Sequence, residues 1–166
     1  MLEHCAGEIE SAADDVFATL GSLGRDLATA WASTVAGRGT YETGDLATLQ
    51  TSVFTALDGQ PSFESAGYVL TEGTLADRGR HLDWWHRSPG GGYEFLLLNL
   101  DPAAPDCYDY YAMEWFRAAL DGHRRFVSGP LIDLPCADVY IMTFSSPIVS
   151  GDRLLGIAGA DVAVAR

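Results

Sequence analysis

The side chains whose types could act together lie between Tyr108 and Asp161. Tyr108, Tyr110, Tyr111, Trp115 and Phe116 fall within nine positions. Asp133 follows eighteen residues after Trp115 in Pro130-Leu131-Ile132-Asp133, and Asp161 closes Gly156-Ile157-Ala158-Gly159-Ala160-Asp161. Rings can wall an apolar box, and carboxylates set into it can hold a cation by charge and hydrogen bonds. The same residues admit a plainer account, with Trp115 and Phe116 as core, Asp133 capping a turn and Asp161 paired with an arginine.

Other chemistries lack their residues. All ten basic residues are arginine, so no lysine Schiff base and no phosphate-loop lysine can form. There is no His-Glu-x-x-His and no Gly-x-Ser-x-Gly. His81 and His86 stand five apart on an expected strand and so face opposite ways. Gly90-Gly91-Gly92 precedes a strand, not a helix, and reads as a turn. Cys5, Cys107 and Cys136 make no Cys-x-x-Cys pair. No cofactor and no metal is called for. A net charge of −13 argues against direct nucleic-acid binding, which needs a basic patch. No apolar run reaches the roughly 18 residues of a membrane span. The unpaired thiols and the absence of a basic, apolar leader point to the cytoplasm, with an extracytoplasmic location as the alternative if the domain was cut from a membrane receptor.

The elements that must position these groups follow from periodicity. At 166 residues and 48% apolar content, one domain with one core is expected over 1–166. A long N-terminal helix covers 1–36, and its periodic part, from Glu3 to about Val35, spans about 48 Å at roughly 1.5 Å per residue. Ile9, Val16, Leu23 and Ala30 form one row of a heptad-like seam, and Ala13, Leu20, Leu27 and Thr34 the other. The seam can lie on the protein's own sheet or pair in part with a second subunit. A second helix covers 43–58, with Thr43 or Asp45 as cap and Leu46, Leu49, Val53, Phe54 and Leu57 on one face. The remainder, 63–164, is a sheet with an inserted short helix. Strands are expected at 63–71, 81–87, 93–100, 139–149 and 154–164, the helix at 108–120, and a loop at 128–135. The fold class is α+β with a five-stranded antiparallel sheet.

From Tyr108 to Val164 the chain resembles the second half of a Cache domain, the extended PAS-like sensor module of bacterial receptors. Trp115-Phe116 stands where that family has Trp-Tyr before a short helix. Gly129-Pro130-Leu131-Ile132-Asp133 stands where it has Pro-Tyr-x-Asp. Thr143 to Val149, the Gly151-Asp152 turn and Gly156 to Asp161 follow in the family's order. The helices and meander of the first half are compatible with it. The resemblance implies a pocket between sheet and covering loops, lined by Tyr108, Met113, Trp115, Phe116, Leu131, Asp133 and Asp161. It implies that Asp133 and Asp161 hold a ligand's amine. It also places Met113 where amino-acid sensors carry an arginine for the carboxylate, and Leu131 where they carry a tyrosine. The amine half is kept and the carboxylate half lost, unless Arg124 or Arg125 supplies an anion contact.

The expectation is a non-catalytic sensor of a small amine or amino-acid-like molecule. Its partners would be that ligand, a second copy through the N-terminal helix, and an effector domain in the same or another chain. Rival readings are a sensor of small carboxylates, an interaction or dimerisation module with a vestigial pocket, and a small enzyme using Asp133 or Asp161 as base near His123.

Overall fold

The computed structural model describes residues 2–132 and 140–164, with side chains of the first helix from residue 10 onward. Helix α1 runs Leu2–Arg38. A 3-10 helix, Thr43–Leu49, leads into α2, Gln50–Gly59. Then come β1 (Phe63–Leu70), β2 (His81–Arg87), β3 (Tyr93–Phe95), a 3-10 turn (Tyr110–Ala112), α3 (Glu114–Leu120), β4 (Phe126–Ile132), β5 (Tyr140–Ser150) and β6 (Arg153–Ala163). The strands form one antiparallel sheet in the order β3-β2-β1-β6-β5-β4.

The sheet has six strands, not five. The additional one is β4, whose Ser128–Ile132 half was expected to be loop because of Gly129-Pro130. Those two residues sit where the β4–β5 register shifts, between Ser128 and Leu131. An edge strand tolerates proline there because no inner neighbour needs its N–H. Gly129 has φ +123, and a Cβ would stand 2.8 Å from the Ile141 carbonyl oxygen, so the bulge requires glycine.

Two further expectations change. The ladder of β3 stops at Phe95, and 96–100 continues outside it. The helix expected at 108–120 divides at Met113, whose extended backbone separates the 3-10 turn from α3. The second helix is capped one residue earlier than expected: Asp45 reaches back to accept the Glu42 N–H at 2.8 Å.

Pleating sorts the strands into two faces. One face, with Ala66, Tyr68, Phe144, Ala158 and Ala160, receives the helices, where Leu20, Leu27, Val53 and Leu57 are wholly buried. Each such side chain contributes about 1.5–3 kcal/mol. The α1 seam is therefore used internally: Val16, Leu20, Leu23 and Leu27 are at most 5% exposed in the single chain. The opposite face, with Val69, Leu82, Trp84 and Ile157, packs against the 96–120 segment.

On the helix face Asp83 stands directly across from Tyr68. The Trp85 indole donates to its carboxylate at 3.0 Å, yet burial holds its pKa above the ordinary 3.8. The Tyr41 and Tyr68 hydroxyls nearby are buried without a hydrogen-bond partner among the described residues, and burial raises both. An acid whose folded pKa is raised favours folding at low pH and opposes it above. Stability from this group falls as pH rises from 3.8 through the raised value. Asp83→Asn should therefore melt higher than the parent at pH 7, with the gap narrowing on acidification. A gap that is absent or widens in acid, measured by calorimetry, would contradict this.

Candidate functional site

The 96–120 segment arches over the second sheet face and leaves a cavity of about 350 Å³ beneath it. Tyr108, Met113, Trp115, Leu131 and Asp161, five of the residues named from sequence, line it. Phe116 does not. It is wholly buried behind Trp115, edge-on to Tyr110 at 4.9 Å and Tyr111 at 4.8 Å between ring centroids. Adjacent residues on a helix point about 100° apart, so only one of the Trp115–Phe116 pair can face the hollow. Asp133 lies outside the described residues.

The sheet supplies the floor, and most of it escaped sequence reasoning: Val69, Leu82, Trp84, Ile141 and Thr143. Leu96, Leu98 and Ile132 close the sides. The signal was register. Once Asp161 faces inward, its ladder partners Ser65 and Thr143 must do so too, as must the other residues in phase with them. The floor is thin at its centre because Gly67 and Gly159 face each other there. A Cβ on Gly67 would stand 2.0 Å from the Asp83 carbonyl oxygen, and one on Gly159 would stand 3.0 Å from the Trp84 ring. Trp84 can lie in the recess because both positions lack side chains.

Asp161 is 9% exposed. Ser65 Oγ donates to one carboxylate oxygen at 2.7 Å and Thr143 Oγ1 to the other at 2.6 Å. The carboxylate is thereby fixed across three neighbouring strands. Each hydroxyl donates to a different oxygen, so both carboxylate oxygens are bonded to the sheet.

No described lining residue is basic. The sequence 133–139 holds two more aspartates and no basic residue. Arg125 pairs with Asp14 at 2.6 Å and lies 4.9 Å over the Phe17 ring, on the helix side. Arg124 does not line the cavity either, so neither arginine supplies the anion contact considered from sequence. Among the described residues no group of histidine, cysteine and acidic side chains could hold a metal ion. A larger furrow of about 530 Å³ between α1 and α2 is open, and its one charged lining residue is Asp26. It lacks the aromatic walls and buried carboxylate of the cavity under α3.

The roof is pinned from behind. The Tyr110 hydroxyl donates to the Leu70 carbonyl at 2.7 Å and accepts the His81 N–H at 3.3 Å, and burial raises its pKa. Ser145 Oγ donates to the Trp115 carbonyl at 2.7 Å. These bonds hold the backbone on either side of Met113 to the sheet.

Solved structures share this architecture. The ligand-binding domain of the Campylobacter jejuni chemoreceptor Tlp3 with L-valine superposes with a TM-score of 0.68 at 15% identity, over 98% of this chain and 56% of that one. Methyl-accepting Chemotaxis protein X gives 0.62 at 15%, over 97% and 61%. The extracellular domain of mmHK1S-Z3, assigned as a histidine kinase, gives 0.66 at 14%, over 94% and 54%. This chain thus spans little more than half the length of those structures. At such identities the likeness concerns the fold. No curated protein sequence matches this one. Among the described residues no helix is long and apolar enough to cross a membrane. A family model does match, over residues 52–166, more than two thirds of the chain. The chain belongs to the methyl-accepting chemotaxis protein-like family of first PDC sensor domains.

Proposed function

We propose that this domain is the ligand-sensing module of a bacterial signalling receptor, performs no catalytic step, and binds a small apolar amine. The observation that carries this reading is Asp161, a buried carboxylate in an aromatic and aliphatic cavity with no basic residue among its described walls. An ammonium group complements the charge of that acid, while the rest of the ligand replaces water against the rings. The resemblance noted above makes Asp133 a second acid for the same ammonium. The Tlp3 structures hold L-valine and isoleucine, branched ligands of similar bulk, which supports the size and shape of the guest. A ligand carboxylate would meet no counter-charge among the described walls, which disfavours both amino acids and simple carboxylates relative to the matching amine.

The energies are adequate. Charge-assisted hydrogen bonds contribute about 1.5–3 kcal/mol each. Two or three of them, with apolar contact, reach the roughly −8 kcal/mol of micromolar binding. The test is thermal shift with 2-methylbutylamine, isoleucine and 2-methylbutyrate, which share one branched skeleton. At a hundredfold excess over Kd the amine should stabilise by about 2.7 kcal/mol. For a chain of this size that is about 5–10 °C. Isoleucine should give less and 2-methylbutyrate nothing. Stabilisation by the carboxylate alone, or by none of the three, would overturn the reading.

Output requires an effector domain, in this chain's full-length protein or in another. A homodimer along α1 completes the proposal, through exposed positions of the helix, because the seam of Val16, Leu20, Leu23 and Leu27 is used inside. Light scattering should give twice the chain mass. A monomer at high concentration would exclude it.

A further inference from the structure

We infer that the turn Thr71–Thr74 is the joint between the cavity roof and α1, and that Arg80 is the positioning residue that locks it. This rests on reading the cavity as a ligand site.

On the roof side, the 3-10 turn Tyr110–Ala112 lies between two residues that line the cavity, Tyr108 and Met113. The Tyr111 hydroxyl accepts the Glu72 N–H at 2.7 Å. Arg80 joins the two segments. Its Nε donates to Glu72 Oε1 and its Nη1 to Asp109 Oδ1, each at 2.8 Å. Its guanidinium lies 4.7 Å from the Tyr111 ring centroid. The Arg80 side chain is 16% exposed, whereas its two carboxylate partners are more than half exposed. Exposed ion pairs add little stability. A planar fork bonded on two sides and stacked on a ring instead fixes geometry.

On the helix side, the Trp31 indole of α1 donates to the Thr74 carbonyl at 3.3 Å. Arg153 donates to the Gly73 carbonyl, and its guanidinium lies 5.2 Å over the Trp31 ring. Glu72 therefore receives the roof, and Gly73 and Thr74 receive the helix. The turn between these contacts is stiff. The Thr71 and Thr74 hydroxyl oxygens stand 3.0 Å apart, and the Thr74 N–H donates to the Thr71 carbonyl at 3.1 Å. The two hydroxyls also donate to the Leu154 and Leu155 carbonyls of β6, each at 2.9 Å. Gly73 closes the turn at φ +84. A roof that shifts over a guest must carry Glu72 with it, and a stiff turn passes that shift to the carbonyl under Trp31. Coupling of this kind needs packed, bonded contacts without a gap, and each step here has one.

The test follows the indole N–H resonances of the 15N-labelled chain, with Trp31 assigned from Trp31→Phe. In the parent, 2-methylbutylamine should move both the Trp115 and Trp31 resonances. In Arg80→Gln, and in the milder Tyr111→Phe, it should move Trp115 alone. A Trp31 shift equal to the parent's in both variants overturns the joint. So does a parent in which Trp115 moves and Trp31 does not. If the amine moves neither resonance, the ligand reading fails by itself, and the joint is decided without ligand. Both substitutions should then speed solvent exchange at the Thr74 amide and Trp31 indole tenfold or more, with β5 amides unchanged. Unaltered exchange at those two sites overturns the joint whatever the ligand.

Discussion

Asp161→Asn should lower affinity for 2-methylbutylamine by about 10- to 150-fold while leaving the domain folded. The figure is the loss of one charge-assisted bond, about 1.5–3 kcal/mol, at 1.4 kcal/mol per tenfold. Asparagine keeps the shape of the side chain and one acceptor oxygen. The Ser65 and Thr143 hydroxyls can rotate, so one donates to that oxygen and the other accepts from the amide. The strand tie is preserved and the charge removed. Isothermal titration reads the affinity, and the melting temperature without ligand verifies the fold.

Two results would reject the assignment. If the variant binds the amine as the parent does, Asp161 is only a brace between β1, β5 and β6. If it melts far below the parent, the carboxylate serves the fold first, and any binding loss is secondary. Salt dependence adds a third reading. A pair 9% exposed is screened weakly. Affinity in the parent should therefore change little between low and high salt, whereas an amine gathered by the net charge of −13 would be released.

The helices and most strands were legible because burial imposes periods that composition cannot hide. The apolar stripe of Leu46, Leu49, Val53 and Leu57 reads as one helical face, and the long apolar runs of β5 and β6 either side of the Gly151-Asp152 turn read as a buried hairpin. β4 was not legible because Gly129-Pro130 carries a turn's chemistry. Only the neighbouring strand shows that an edge with a bulge accommodates the same pair. The site divides in the same way. Tyr108, Met113, Trp115, Leu131 and Asp161 were found by resemblance to a pattern in the last third of the chain. Val69, Leu82 and Trp84 come from β1 and β2, far away in sequence, and reach the cavity only through ladders with β6 and with each other. No local pattern announces such a meeting. The α1 seam shows the converse: a heptad-like stripe is the same on paper whether its partner is a second helix or the protein's own sheet.

Trp115 and Phe116 should give opposite readouts when each is cut to alanine, and the contrast tests whether wall and core have been told apart. Phe116 is 0% exposed and meets three rings. Removing it costs about 3–5 kcal/mol, a fall of about 6–20 °C in a chain of this size. Amine binding should weaken only as far as the loosened roof shifts. Trp115 is half-buried and faces the cavity. Its backbone carbonyl is held by Ser145 regardless of side chain, so the roof stays in place without the indole. Trp115→Ala should cost less than half as much stability as Phe116→Ala. It should lower amine affinity about tenfold or more, through lost ring contact with the cation worth about 0.5–2 kcal/mol and lost apolar cover. If Trp115→Ala proves the more destabilising of the two and leaves affinity intact, the indole is core and the cavity has been assigned the wrong wall. If Phe116→Ala abolishes binding at unchanged stability, the ring assigned to packing faces the guest.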